Sequence, residues 1–357
     1  MSNSTVEPKQ IELWFSSMDV EITTDALDFT TSELNATDVK LTDLSKYFSI
    51  VCLLVLHPIL SLFALCANIL NTIVFRKMDL TEGVSLSLFI LSLADGFQAG
   101  VNLAISSCVF LIWFGYQSDL ICLEAVTAVL VLSTHISRNM GTLITTVIAI
   151  VRCCCVTMPF TVQEILTARR QLVIILVICS VSFTVLVSSS SRMTIACEDD
   201  SRFTIYNIFS PFDQNIRDDG LITFDLFRSI AFSVCFLVVC ISMVVLILGL
   251  KKSAMLRTSN DGDRKNQQIV KSIILVLAIF LLCNLLQVIT LQTRTFTEQF
   301  TPFGTLHEEH TVLRLSSFII TKFDISSNIF VYYYFNRQFR VVIKKIFSRI
   351  SFSIIRP

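Results

Sequence analysis

The sequence predicts an all-α membrane protein: a bundle of seven transmembrane helices with a short amphipathic helix on its inner surface. Three observations predict it. Hydrophobic residues make up 53% of the 357 and charged residues only 16%, where soluble domains carry about 25% charge; mean hydropathy is +0.71. Seven apolar stretches come close to or exceed the roughly 20 residues that a helix needs to cross a bilayer. The segments between them alternate between basic and acidic. This composition excludes a disordered or collagen-like chain and most soluble enzymes. The 28 basic and 28 acidic residues cancel, so nothing electrostatic favours nucleic acid. Twelve cysteines are too few for a disulfide scaffold.

Residues 1–46 read as an extracellular, glycosylated segment, with sequons at Asn3 and Asn35. They lack the basic-then-apolar layout of a signal peptide, so the first span is expected to insert uncleaved. Residues 47–335 form the bundle. Spans 47–75, 171–191, 229–250 and 272–293 contain no Asp, Glu, Lys or Arg. Span 84–112 carries Asp95, span 124–158 carries Arg138, and span 312–335 carries Arg314, Lys322 and Asp324. Residues 336–357 supply the amphipathic helix and tail, because Phe339, Val342, Ile343, Ile346, Phe347 and Ile350 recur at helical spacing among basic residues. Such a helix lies on a lipid surface. No Cys follows Cys283, so palmitoylation of this helix is not expected; Ser348, Ser351 and Ser353 are the tail phosphosites.

Orientation follows from the basic residues that flank the spans. Arg76, Lys77, Arg152, Arg169, Arg170, the run from Lys251 to Lys271, and the tail all fall on one side. The first 46 residues hold nine carboxylates against Lys9, Lys40 and Lys46. The chain is therefore expected to be a multi-pass plasma-membrane protein with its amino terminus outside.

Motifs near the inner ends of the spans carry a resemblance. Span seven holds Asn328-Ile329-Phe330-Val331-Tyr332 with Phe339-Arg340 following; span two holds Leu91-Ser92-Leu93-Ala94-Asp95; span one holds Ala67-Asn68. Span three ends Val151-Arg152-Cys153 with Val156 and Pro159 beyond, and span six holds Phe280-Leu281-Leu282-Cys283-Asn284. These are similar to the NPxxY, LxxAD, GN, DRY and FxxCWxP motifs of rhodopsin-like G-protein-coupled receptors, over residues 47–347. The departures matter: Ile329 replaces the proline, Val151 the DRY aspartate and Asn284 the tryptophan. With them the chain most resembles nematode serpentine receptors of class W, which resemble FMRFamide-type neuropeptide receptors.

The resemblance implies roles. Arg152, Pro159, Phe280, Cys283, Asn328 and Tyr332 would form the activation switch facing a heterotrimeric G protein. With Val151 in place of an acid and no acid near Asn266, the resting lock is expected to be weak, which suggests some basal activity. Asn68, Asp95, Asp324 and Asn328 would meet in mid-bundle, where two close carboxylates favour a shared proton or a sodium ion. The alternative is a purely structural polar network. Cys122 and Cys197 look like the family's outer disulfide, with Cys108 as rival partner.

His135, Arg138, Lys322 and Asn284 are the ligand-binding candidates. Arg138 stands fourteen residues above Arg152 on one helix, some 21 Å along it. It could instead form an internal salt bridge to Asp324 or Asp225. Lys322 stands six residues before Asn328, as an opsin lysine would, but span three offers no acid counterion between Thr127 and Arg152. It is expected to pair with a bundle acid or with a ligand. His307-Glu308-Glu309-His310 reads as solvated surface, not as a metal site. No nucleophile–base pair stands out, so no enzyme is expected. The acidic outer residues, among them Glu198, Asp199, Asp200 and Glu308, would attract a cationic ligand, and an amidated neuropeptide fits. The alternatives are a chemosensory receptor for a small environmental molecule and, more remotely, an ion- or proton-coupled transporter, whose usual half-repeats are not visible.

Overall fold

A computed structural model describes residues 47–78, 80, 83–114, 123–157, 167–190, 196–197, 203–204, 219–255, 261–297 and 305–355. The described residues are almost entirely helical. They form α1 (His57–Arg76), continuous with a π-helical stretch Cys52–Leu56, then α2 (Gly83–Trp113), α3 (Leu123–Thr157) and α4 (Ala168–Ser190). After them come α5 (Asp219–Met255), α6 (Asp261–Phe296), α7 (His307–Phe335) and α8 (Arg337–Ile355). Between α4 and α5, Ala196–Cys197 and Phe203–Thr204 pair antiparallel, with Cys197 opposite Phe203.

Six of these helices contain a stretch long and apolar enough to cross a bilayer, from Tyr47–Arg76 to Ile273–Phe296. This makes the chain a multi-pass membrane protein. The expected seventh span falls short by that measure, because Arg314, Lys322, Asp324 and Asn328 interrupt α7. The apolar run on α5 shows what faces lipid. Ile230, Val234, Leu237, Ile241, Val244 and Leu248 recur every three or four residues and are all more than half exposed. In water such a stripe would be a large exposed apolar patch.

Helices α1, α2, α3, α5, α6 and α7 close into a ring in which each packs on the next and α7 returns to α1. Helix α4 lies outside the ring against α2, α3 and α5. Only 11% of its span is buried, against 56% for α3, so α3 is the most deeply packed member of the ring and α4 a peripheral helix. Several hydroxyls in the spans bond to their own helix: Thr142 donates to the Arg138 carbonyl at 3.1 Å and Thr146 to that of Thr142 at 2.8 Å. An apolar medium demands such internal partners. At one end of the bundle Val74, Phe75, Leu88, Ile148, Val151, Tyr332, Phe339 and Ile343 form a single apolar cluster tying α8 to the ring.

Two helices run further than the apolar stretches predict. Helices α5 and α6 extend to Met255 and back to Asp261, so Lys251, Lys252, Arg264, Lys265 and Lys271 lie on helices and not in a loop. Lys, Arg and Gln are good helix formers, and a helix leaving the bilayer needs no apolar residues.

Candidate functional site

The polar residues of the spans gather around three adjoining cavities. The first, of about 30 Å³, is walled by Asp95 and Gln98 on α2, Arg138, Gly141 and Thr142 on α3, Asn284 on α6, and Thr321, Asp324 and Asn328 on α7. That volume has room for one or two waters or an ion. Asn328 Nδ2 donates to Asp95 Oδ2 at 3.3 Å, and Asn284 Nδ2 to Asp324 Oδ2 at 2.7 Å. Asn68 Nδ2 donates to the carbonyls of Ala64 at 3.0 Å and Ile325 at 2.8 Å, fastening α1 to α7. Gly141 faces Asp95 across the cavity: a Cβ there would lie 3.5 Å from Asp95 Oδ1, at ordinary contact distance.

The structure thus brings Asp95, Asp324, Asn328 and Asn284 to one cavity, with Asn68 holding the helix beside it. It separates the ligand candidates. Asn284 belongs to this polar cavity. Lys322 is almost fully buried but lies outside the walls of all three cavities. Arg138 donates to the Thr321 hydroxyl, which in turn donates to the Ser317 carbonyl, and is not bonded to Asp324.

The second cavity, of about 40 Å³, is lined by His135 and Arg138 on α3, Arg228 on α5, Gln287, Thr290 and Arg294 on α6, and His310, Arg314 and Phe318 on α7. Arg138 and Arg228 are 7% and 8% exposed. Arg228 Nη1 donates to His135 Nδ1 at 2.8 Å. The guanidinium carbons of Arg138 and Arg314 stand 5.9 and 5.8 Å from the Phe318 ring centre, within cation–π range. The third cavity, of about 50 Å³, is largely apolar. Leu53, Ile105, Val109, Val131, Leu315 and Ile319 line it together with His57, Asn102, Arg314 and Phe318. His57 Nδ1 lies 2.7 Å from Ser106 Oγ, which donates to the Asn102 carbonyl.

Arg228, Arg294, His310 and Arg314 were not among the ligand candidates read from the sequence. A signal existed for two of them. Arg228 directly precedes the apolar run 229–250 and Arg294 directly follows 272–293. Both therefore sit at span ends on the side expected to be acidic, against the positive-inside pattern.

Of the switch residues, Asn328 and Phe280 wall the polar cavity, while Arg152 and Tyr332 lie toward the other end. Arg152 is half-buried near the end of α3, and Tyr332 is 2% exposed with its ring 5.1 Å from Phe75 and 5.8 Å from Phe339. Phe280 is buried against Val239, Leu246 and Leu277, and Cys283 is half-buried beyond it. Asn3, Asn35, Cys122 and Pro159 lie outside the described residues, and with them the two sequons and the Cys122–Cys197 pairing. Cys108 is a free thiol. Among the described residues no group of His, Cys, Asp and Glu could hold a metal ion. No family model matches the chain, and no curated protein matches it.

Proposed function

We propose that this protein is a seven-helix G-protein-coupled receptor of the rhodopsin-like kind, with its amino terminus outside and Arg152 facing a heterotrimeric G protein. The observation that carries the reading is the position of Arg138. Among the described residues it is the one side chain that walls both the arginine-lined cavity and the polar cavity, and it shares α3 with Arg152. A ligand that draws on Arg138 changes its bond to Thr321 and the charge balance beside Asp324 in a single step. That gives the two ends of the bundle a physical link through one rigid helix. The binding site then biases a two-state bundle, and movement of α6 opens the inner face. The closed ring supports α7 as the seventh span: Lys322 is 2% exposed, Asn284 on α6 donates to Asp324 at 2.7 Å, and Asn68 on α1 donates to the Ile325 carbonyl.

The residues around the polar cavity fit a cation. Asp95 and Asp324 against Arg138 leave one negative charge, which a proton or one sodium ion balances. Asp95, Asn328 and Asp324 would hold the ion, and it would favour the resting state. Raising sodium should lower agonist affinity, and Asp95→Asn should abolish that dependence; an unchanged affinity in the parent protein would remove the ion from the account.

The ligand class that follows from the acidic outer segments is an amidated neuropeptide. The small volume of the cavities favours the second reading, a chemosensory receptor for a small molecule. Calcium or cAMP responses in transfected cells given pooled amidated peptides and then small-molecule pools separate the two. A saturable response lost in Arg152→Ala supports the receptor. A response that persists in that variant, with surface expression equal, contradicts it.

A further inference from the structure

We infer that the apolar cavity between α1, α2, α3 and α7 binds a small uncharged alcohol, whose hydroxyl donates to Asn102 Oδ1 and whose hydrocarbon part fills the chamber. The inference rests on the small-molecule reading of the receptor and gives it a ligand class. Asn102 lines this cavity and is 0% exposed. Its Nδ2 donates to the Gln98 carbonyl at 2.7 Å, and its own backbone carbonyl accepts from Ser106 Oγ at 3.0 Å. Its Oδ1 has no hydrogen-bond partner among the described residues. An acceptor buried in this state has lost its hydration and gained nothing in return, and one entering O–H restores the bond. Two other polar side chains of the walls are already engaged. Thr134 Oγ1 donates to the Leu130 carbonyl at 3.2 Å, and His57 Nδ1 pairs with Ser106 Oγ at 2.7 Å. Among these three the group left unmet is an acceptor, so the ligand must bring a donor.

The shape of the chamber follows from a proline. Pro58, at the start of α1, has no N–H for the carbonyl of Leu54. The turn before it is wound wide, with the His57 N–H bonded to the Cys52 carbonyl five residues back, as in a π-helix. Cys52, Leu53 and His57 from this turn supply one wall, and Ile105 on α2, Val131 on α3 and Ile319 on α7 help to complete the chamber. Its volume of about 50 Å³ corresponds to roughly four water-sized sites, space for an alcohol of about four carbons. A single hydroxyl suits a single acceptor, whereas an ammonium brings three donors and a charge to mostly apolar walls. Arg314 and Phe318 line both this chamber and the arginine-lined one. Phe318 holds the Arg138 guanidinium 5.9 Å from its ring centre, so an occupant touching Phe318 sits one side chain away from Arg138.

The test uses the full chain in nanodiscs of neutral phosphatidylcholine, with binding read above that of protein-free nanodiscs. The probes are butan-1-ol, butanone, pentane and butan-1-amine, equal in non-hydrogen atoms. Butan-1-ol is expected to bind saturably and at least about tenfold more tightly than each of the others, the scale of one buried acceptor met or left unmet. Asn102→Leu keeps the bulk of the side chain and removes the acceptor. It should weaken butan-1-ol by about tenfold, bind pentane at least as well as the parent does, and melt no lower. Val131→Phe, which fills the chamber, should weaken butan-1-ol as well. Equal binding of alcohol and ketone to the unaltered protein overturns the inference whether or not any variant folds. So does a preference for the amine, or a butan-1-ol affinity unchanged in folded Asn102→Leu. No G protein is present in this assay. Absence of butan-1-ol binding alongside Arg152-dependent nucleotide exchange defeats the ligand class alone. Butan-1-ol binding without any exchange upholds the site and defeats the receptor reading alone.

Discussion

Asn284 stands where the resembling family carries tryptophan, and its amide does what no indole could. One Nδ2 group donates to Asp324 Oδ2 at 2.7 Å and to the Phe280 carbonyl at 2.9 Å, from a position 2% exposed. Asn284→Ala strips a buried carboxylate of its donor and should cost about 1–3 kcal/mol. The check is the melting temperature in detergent, with the half-buried neighbour Cys283→Ala as a milder control. Gly141 makes a complementary case. A methyl group there meets Asp95 at ordinary contact distance, and replacing a mid-helix glycine is worth up to about 1 kcal/mol. Gly141→Ala should therefore melt no lower than the parent while losing any sodium dependence, because the methyl fills the polar cavity. A melting temperature that still rises with sodium would place the ion elsewhere. At this scale Asp95, Arg138 and Asp324 were legible in the sequence, since a charge inside an apolar run is costly and marks itself. Arg228 and Arg294 were not, because each sits one residue beyond such a run and reads as a flank.

Helix α8 shows how an element is anchored by a few contacts. Asn336 Oδ1 accepts from the Phe339 backbone N–H at 3.1 Å, capping the first turn, and Arg340 Nη1 donates to the Tyr334 carbonyl at 2.7 Å. Phe339 is fully buried, 5.5 Å from Phe75. Asn336→Ala should cost about 1 kcal/mol, and Phe339→Ala about 3–5 kcal/mol. Hydrogen exchange should show α8 losing protection first in both. Phe347, 55% exposed, should matter to lipid binding and hardly to the melting temperature. The amphipathic spacing of 339–350 made this helix legible beforehand, and Gly83–Trp113 lies within one residue of the span 84–112. The polar ends of α5 and α6 were not, since apolarity records the thickness of the bilayer and not the length of the helix. For the same reason α7, whose polar residues serve the interior, is the one expected span that apolarity fails to mark.

At the scale of the whole molecule the ring of helices, with α3 its most buried span, places the three cavities toward one end and the Arg152–Tyr332–α8 cluster at the other. The route between them is short in residues: Arg314 and Phe318 join the apolar chamber to the cationic one, Arg138 joins that to the polar core, and α3 continues to Arg152. The order of the motifs along the chain made the bundle and its polar core readable. The pairing of chambers was not, because it depends on four helices delivering residues whose separations in sequence carry no common period. The central claim is that this bundle activates a G protein. Val151 stands beside Arg152 where the resembling family carries an acid, so on the receptor reading activity should be measurable before any ligand is known. The measurement is guanine-nucleotide exchange on purified heterotrimers of each Gα class, driven by the full chain in nanodiscs. The account predicts basal acceleration of exchange for at least one class, abolished in Arg152→Ala that melts like the parent. No acceleration of any class by well-folded protein, or equal acceleration by the Arg152 variant, would contradict it.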